Sequence, residues 1–323
     1  MKRRDFLVGA AASAVGGVGL GKAGLAQAPA AGGQDAAPGQ GRGGRGMSPA
    51  AVPESKLARV SLMTLDFGDV TRLPNNRNPT PEQTLTVFDL PKMYVEVYGV
   101  HNIEYQHSHL TQAETDQAFV RELKARLDEN KVQMSQINLE FREQNISNPD
   151  ADMRQKAIDH TKQWIDLAAQ WSCPRVMINQ EQPTLNKATR ADAVAAWKAM
   201  ADYGRSKNVK VSAETRGLGG ATKEELGMLP WEFLAGVIKD AGAYSNVDIG
   251  NVGATSQQGM HDAIKGLMPT SSGNMHIKSS PYWDIGLAVR FTESLGYRGL
   301  YSIEVRTHPA VRIVYNTILA SLA

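Results

Sequence analysis

Cysteine is nearly absent: Cys173 is the sole thiol in 323 residues. An internal disulfide is thereby excluded, so the chain can complete its fold in a reducing compartment. A strong charge of one sign is lacking too, since the formal balance is only +2. Six cations (Lys2, Arg3, Arg4, Lys22, Arg42, Arg45) and two anions (Asp5, Asp35) precede residue 54, leaving −2 on the remainder. No basic field of the kind that draws nucleic acid is present. The N-terminal run 7–25 is weakly apolar, rich in Gly and Ala and broken by Lys22, which disfavours a membrane anchor. A glycine-rich phosphate cradle is also missing after the first predicted strand, where Leu65-Asp66-Phe67-Gly68 stands instead. That argues against an open, doubly wound nucleotide-binding sheet.

What is present at the N-terminus is an address. Arg3 and Arg4 open Arg-Arg-Asp-Phe-Leu, the weakly apolar run follows, and Ala26-Gln27-Ala28 closes it as a small-residue cleavage site. Residues 1–28 therefore read as a twin-arginine (Tat) export signal, with the Tat translocase as a partner and the periplasm or the exterior as destination. Residues 29–54 are mostly Gly, Ala, Pro, Gln and Arg and cannot bury a core, so they read as a disordered spacer.

Residues 55–323 match the size of one (β/α)8 domain, ~250 residues. Strands are predicted at 59–65, 101–105, 132–139, 175–179, 209–213, 244–249, 274–277 and 299–303, with amphipathic helical segments such as 152–170 and 191–206 between them. Eight alternating units predict a closed parallel barrel, a TIM barrel, in a single domain. Four of the strands end in a metal-ligating side chain: Glu214, Asp248, His276 and Glu304. Strand C-termini are where such a barrel keeps its chemistry. Three carboxylates and one imidazole make a hard, oxygen-rich site for one divalent ion, Mn, Mg or Co rather than structural zinc. Such an ion on a carbonyl and its neighbouring hydroxyl acidifies the C–H between them. Glu214 and Glu304 would flank that carbon, one removing the proton and the other returning it. The bland alternatives are ion pairs of Glu214 with Arg216 and of Glu304 with Arg306, and a turn or cap role for Asp248.

Other strand ends contribute Glu104, His107 and His109, Glu140 and Arg142, and Asn179 and Gln180, some of which are expected to contact substrate hydroxyls. His107-Ser108-His109 has a second-metal reading as well. Asn251, Lys278, Arg216 and Arg306 complete the predicted substrate contacts, and Trp231, Tyr282 and Trp283 are candidates for stacking on a sugar face or for loop packing.

The motifs Ser-Ala-Glu214, Val-Asp248-Ile-Gly-Asn251, Met-His276-Ile-Lys278 and Ser-Ile-Glu304 resemble those of the xylose isomerase-like TIM-barrel superfamily, the sugar phosphate isomerase/epimerase group that includes ketose 3-epimerases. The resemblance implies that Glu214, Asp248, His276 and Glu304 bind one divalent ion, commonly Mn, and that the two glutamates are the acid–base pair. It implies a sugar isomerase or epimerase acting on a neutral sugar. A β-eliminating lyase or hydratase of 3-keto-glycosides is the alternative, and a non-catalytic sugar-binding protein or an abasic-site endonuclease stands further off. A homo-oligomer is compatible with all of these. The chain departs from the epimerase pattern at Ser279, where many members have Asp, and at Asn251, where many have His.

Overall fold

The computed structural model describes residues 52–73, 76, 78–141, 145–179, 185–215 and 222–323. The predicted signal, nearly all of the predicted spacer, and Arg216, Arg142 and Gln180 lie outside the described residues.

Eight strands form the centre: β1 (Val60–Met63), β2 (Asn102–Gln106), β3 (Gln133–Leu139), β4 (Arg175–Ile178), β5 (Lys210–Glu214), β6 (Tyr244–Asp248), β7 (Ser271–Ile277) and β8 (Leu300–Ile303). They pair in parallel in chain order and close where β1 meets β8. The predicted (β/α)8 barrel is thus the observed one. Around it run α1 (Glu54–Leu57), α2 (Leu90–Tyr98), α3 (Gln117–Glu129), α4 (Ala151–Gln170), α5 (Arg190–Ser206), α6 (Lys223–Leu226), α7 (Pro230–Ala241), α8 (Gln257–Leu267), α9 (Ile285–Ser294) and α10 (His308–Ser321).

Local chemistry starts and orients the helices. Asp150 accepts from the Met153 amide at 3.0 Å and begins α4, and Asp284 accepts from the Leu287 amide at 2.7 Å and begins α9. Along α4, Ala157, Ile158, Thr161, Trp164, Ile165 and Ala168 recur at helical spacing and are buried against the barrel. Seven predicted strands agree with the structure to within two residues at each end. The exception is β7, which begins at Ser271, three residues before its predicted start. Ser-Ser-Gly reads as a turn, but the side chain of Arg175 donates from Nε to the Ser272 carbonyl at 2.9 Å and draws the segment into the sheet. Gly273 sits there at φ 86°, with Arg175 Nη2 only 3.1 Å from where a Cβ would stand.

Strand residues alternate in facing, so every second side chain enters the barrel. Branched aliphatic side chains usually fill such an interior. Here Glu104, Gln136, Asn246, Asn274 and Ser302, from five different strands, meet there instead, all fully buried. Gln136 Nε2 donates to Glu104 Oε1 at 2.9 Å and Asn274 Nδ2 to Glu104 Oε2 at 3.0 Å, and Ser302 Oγ donates to the same Oε2 at 2.6 Å. A buried polar floor of this kind is tolerated because its charge is hydrogen-bonded from several sides.

Candidate metal centre

Directly above that floor, β5, β6, β7 and β8 deliver Glu214, Asp248, His276 and Glu304, all buried. Each offers a ligand atom, and these atoms lie within 4.8 Å of one another. The register explains the convergence: Asp248 pairs with His276 across β6 and β7, and His276 with Ser302 across β7 and β8. His276 Nε2 approaches Glu104 Oε1 at 2.8 Å, which leaves Nδ1 facing the carboxylates. Nδ1 lies 2.9 Å from Glu304 Oε2, 3.6 Å from Asp248 Oδ2 and 3.8 Å from Glu214 Oε1. Neither Nδ1 nor Glu304 Oε2 has a hydrogen-bond partner, and Glu214 Oε2 is likewise buried and unpaired. Three orphaned donor atoms aimed at one point fit a cation, which would satisfy all of them.

Lys278 supplies part of the positive charge. Its Nζ lies 2.8 Å from Asp248 Oδ2, 2.9 Å from Glu304 Oε1 and 3.8 Å from Glu214 Oε1. The sequence places this lysine among substrate contacts, whereas the structure sets it against the ligand carboxylates. Space for it depends on Gly250, since a Cβ at that position would stand 2.7 Å from Lys278 Cβ. Asn251 also braces the ligands, with Nδ2 donating to Glu214 Oε1 at 2.9 Å and to Asp248 Oδ2 at 2.8 Å. Even with Lys278 counted, Glu104, Glu214, Asp248 and Glu304 leave a buried negative excess, and a divalent ion is the simplest group to offset it.

Proton affinities follow the geometry. Burial raises Glu214 to about 7. Burial would raise Asp248 as well, but Lys278 and His276 beside it hold it well below the usual carboxylate range. Lys278 is the nearer to Asp248, so the negative charge settles there and Glu214 becomes the more basic of the two. Burial works against the charged form of His276, yet Glu104 and the surrounding carboxylates raise it well above its ordinary value.

The role of Glu104, and Asp66 and Thr215 as site residues, were not read from the sequence. Glu104, one of several polar strand ends, is the partner that fixes the tautomer of His276. Asp66, in the 3-10 turn after β1, accepts from the Val305 and Arg306 amides at 2.6 and 2.8 Å and so clamps the segment that follows Glu304. Burial raises Asp66 to about 8. Thr215 Oγ1 accepts from the Asp248 amide at 2.8 Å. A hydroxyl or carboxylate that serves a backbone amide leaves no periodic signature, and only its neighbours in space reveal it.

The remaining predicted contacts are dispersed. Asn179 donates to Glu140 Oε1 at 2.5 Å across the ends of β4 and β3. Arg306 is exposed at φ 68° and lines a cavity of about 340 Å³ with Lys278, Ser279 and Glu304. His109 is buried with Nδ1 2.8 Å from Thr64 Oγ1, and burial lowers its pKa to about 4. His107 has neighbours other than His109, described below. Trp231 lines a second cavity, about 280 Å³, together with Thr215, Leu229, Pro230, Asn251 and Val252. Tyr282 is exposed, and Trp283 is half-buried beside it.

A profile of the family described as xylose isomerase-like TIM barrel matches residues 93–282. No curated protein matches the chain. Among solved structures, a xylose isomerase-like TIM barrel protein from Mycobacterium smegmatis in complex with magnesium is 17% identical, with TM-score 0.61 over 83% of this chain and 99% of that one. A 3-keto-D-glucoside 4-epimerase from E. coli in its apo form is 10% identical, with TM-score 0.60 over 82% and 98%. A D-psicose 3-epimerase with D-tagatose from Clostridium cellulolyticum H10 is 12% identical, with TM-score 0.60 over 81% and 96%. At these identities the likeness is one of fold.

Proposed function

The chain belongs to the xylose isomerase-like TIM barrel family, and on that premise we propose that it is a divalent-metal-dependent isomerase or epimerase of a neutral sugar. The observation that carries this reading is the pair Glu214 and Glu304, two buried carboxylates on facing strand ends with one unpaired oxygen each. Glu214, Asp248, His276 and Glu304 would hold the ion, with Mn favoured and Mg or Co as alternatives. When bound, it supplies electrophilic polarisation of a substrate carbonyl.

The chain's own groups do the rest. Glu214, at the end of β5 with one unpaired oxygen, would take the proton next to the carbonyl. Glu304 delivers a proton from the other side, so the substrate loses one and gains one and no net charge passes. Asn251 holds Glu214 in its rotamer through the 2.9 Å hydrogen bond. Lys278 stabilises negative charge at the ligand carboxylates, and Asn179, Glu140 and Arg306 are assigned to contact substrate hydroxyls. Export through the Tat route to the periplasm is part of the proposal, as is a neutral rather than phosphorylated substrate.

A second reading is favoured by one feature. The 280 Å³ cavity beside Asn251 is walled by Leu229, Pro230, Trp231 and Val252 and could take an apolar aglycone. Abstraction at C2 of a 3-keto-glycoside by the same base would then expel the aglycone from C1. Manganese-loaded protein incubated in D2O with ketoses, aldoses and 3-keto-glycosides, followed by NMR, separates the two. Deuterium gained beside a changed or migrated carbonyl supports the isomerase, and aglycone release supports the lyase. No EDTA-sensitive exchange with any of them would sink both.

A further inference from the structure

A second cluster of ligating side chains lies outside the four-ligand centre. His107 stands in the 3-10 turn directly after β2, Glu114 ends the 3-10 turn Thr111–Glu114, and His160 projects from α4. His160 Nε2 is 3.1 Å and His107 Nε2 3.5 Å from the same atom, Glu114 Oε1. The three ligand atoms fall within 4.8 Å of one another. Ligands about 2.0–2.2 Å from a tetrahedral zinc ion are separated by roughly 3.3 Å, so both measured edges are of that order.

His160 Nε2 lies within hydrogen-bond distance of Glu114 Oε1 at 3.1 Å and accepts from Trp164 Nε1 at 3.2 Å, contacts that a metal would replace. Both ring nitrogens of His107 are buried without a hydrogen-bond partner. Its ring is held edge-on by Phe141 at 5.1 Å and by Trp164 at 4.9 Å, and Phe141 stacks on His160 at 4.2 Å. Packing thus holds the His107 ring with its Nε2 3.5 Å from Glu114 Oε1. Trp164 Nε1 donates to Glu114 Oε1 at 3.0 Å, the kind of outer contact that steadies a ligating carboxylate. Side-chain exposures of 13%, 20% and 31% for His107, His160 and Glu114 leave one side open to a water.

We propose that His107, Glu114 and His160 form a second metal site, of zinc type, with a fourth position open to water. Two imidazoles and one carboxylate favour a borderline-soft ion, in contrast to the oxygen-rich centre at β5 to β8. Bound there, the ion would tie the segment after β2 to α4. The proposal is independent of the reaction assigned above.

The test loads the full chain with one equivalent of Zn2+ in the presence of excess Mn2+ and records zinc X-ray absorption. Two imidazoles in the zinc shell are expected. One imidazole would place the ion at His276 and overturn the proposal, and so would failure to retain zinc after dialysis. His160→Ala and Glu114→Gln should each weaken this zinc binding at least tenfold while far-UV circular dichroism stays unchanged. Wild-type affinity in both folded variants would also refute the site, and the absorption result stands even if a variant misfolds.

Discussion

Glu214 and Glu304 differ in their surroundings, and the proposed reaction depends on both. Replacing either by Gln keeps volume and hydrogen bonding but removes the proton carrier, so turnover should fall by roughly 10³-fold or more with the circular dichroism spectrum unchanged. A mutant retaining near wild-type rate would sink the acid–base assignment. Glu104 acts one shell further out, receiving Gln136, Asn274, Ser302 and His276. Glu104→Gln should loosen the orientation of His276 and lower metal affinity about 10–100-fold, as read by competition with a chelator. Asp66 gives a pH signature. Its folded pKa of about 8 exceeds the ordinary 3.8, so the folded chain keeps a proton that the unfolded chain releases. The resulting stability is complete below pH 4 and is lost as pH rises toward 8. Asp66→Asn retains an acceptor for the Val305 and Arg306 amides and should flatten that decline by up to about 1.4 kcal/mol per pH unit, measured by urea unfolding in EDTA. An unchanged slope would mean that Asp66 is ionised in the folded chain.

Elements were more legible than their contacts. The short strand runs of β5 and β6, buried continuously after their first residue, and the helical spacing in α4 and α5 survive as written in the sequence, because burial is a local requirement repeated along each element. The beginning of β7 escaped prediction because Arg175, nearly a hundred residues earlier, determines it. The neighbours of His160, His107 and Glu114, appear only once α4 packs beside the end of β2. Close packing of elements also depends on single positions. A Cβ at Gly204 on α5 would stand 2.4 Å from the Val209 carbonyl oxygen and 2.7 Å from Val211 Cγ2. Gly204→Ala should therefore destabilise the barrel by about 1–3 kcal/mol in urea unfolding, despite its better helix propensity. A neutral or stabilising result would show that α5 can move away from β5 without loss.

At the scale of the whole molecule, a barrel that gathers a buried negative excess should be more stable with its counter-ion. At a free metal concentration near 100 Kd the expected gain is about 2.7 kcal/mol. A domain of this size would then melt roughly 5–10 °C higher with Mn2+ than in EDTA, and identical melting curves would argue that the four ligands hold no ion. No helix among the described residues is long and apolar enough to cross a membrane. The sequence by itself determined the barrel and the four candidate ligands at its strand ends, because strand period, unit length and the polar residue closing each strand are local patterns. It did not determine that Lys278 and Asn251 brace the ligands, that Glu104 underlies His276, or that His107 meets His160. Those contacts join residues separated by up to 172 positions, and only closure of the barrel and packing of α4 bring them within reach.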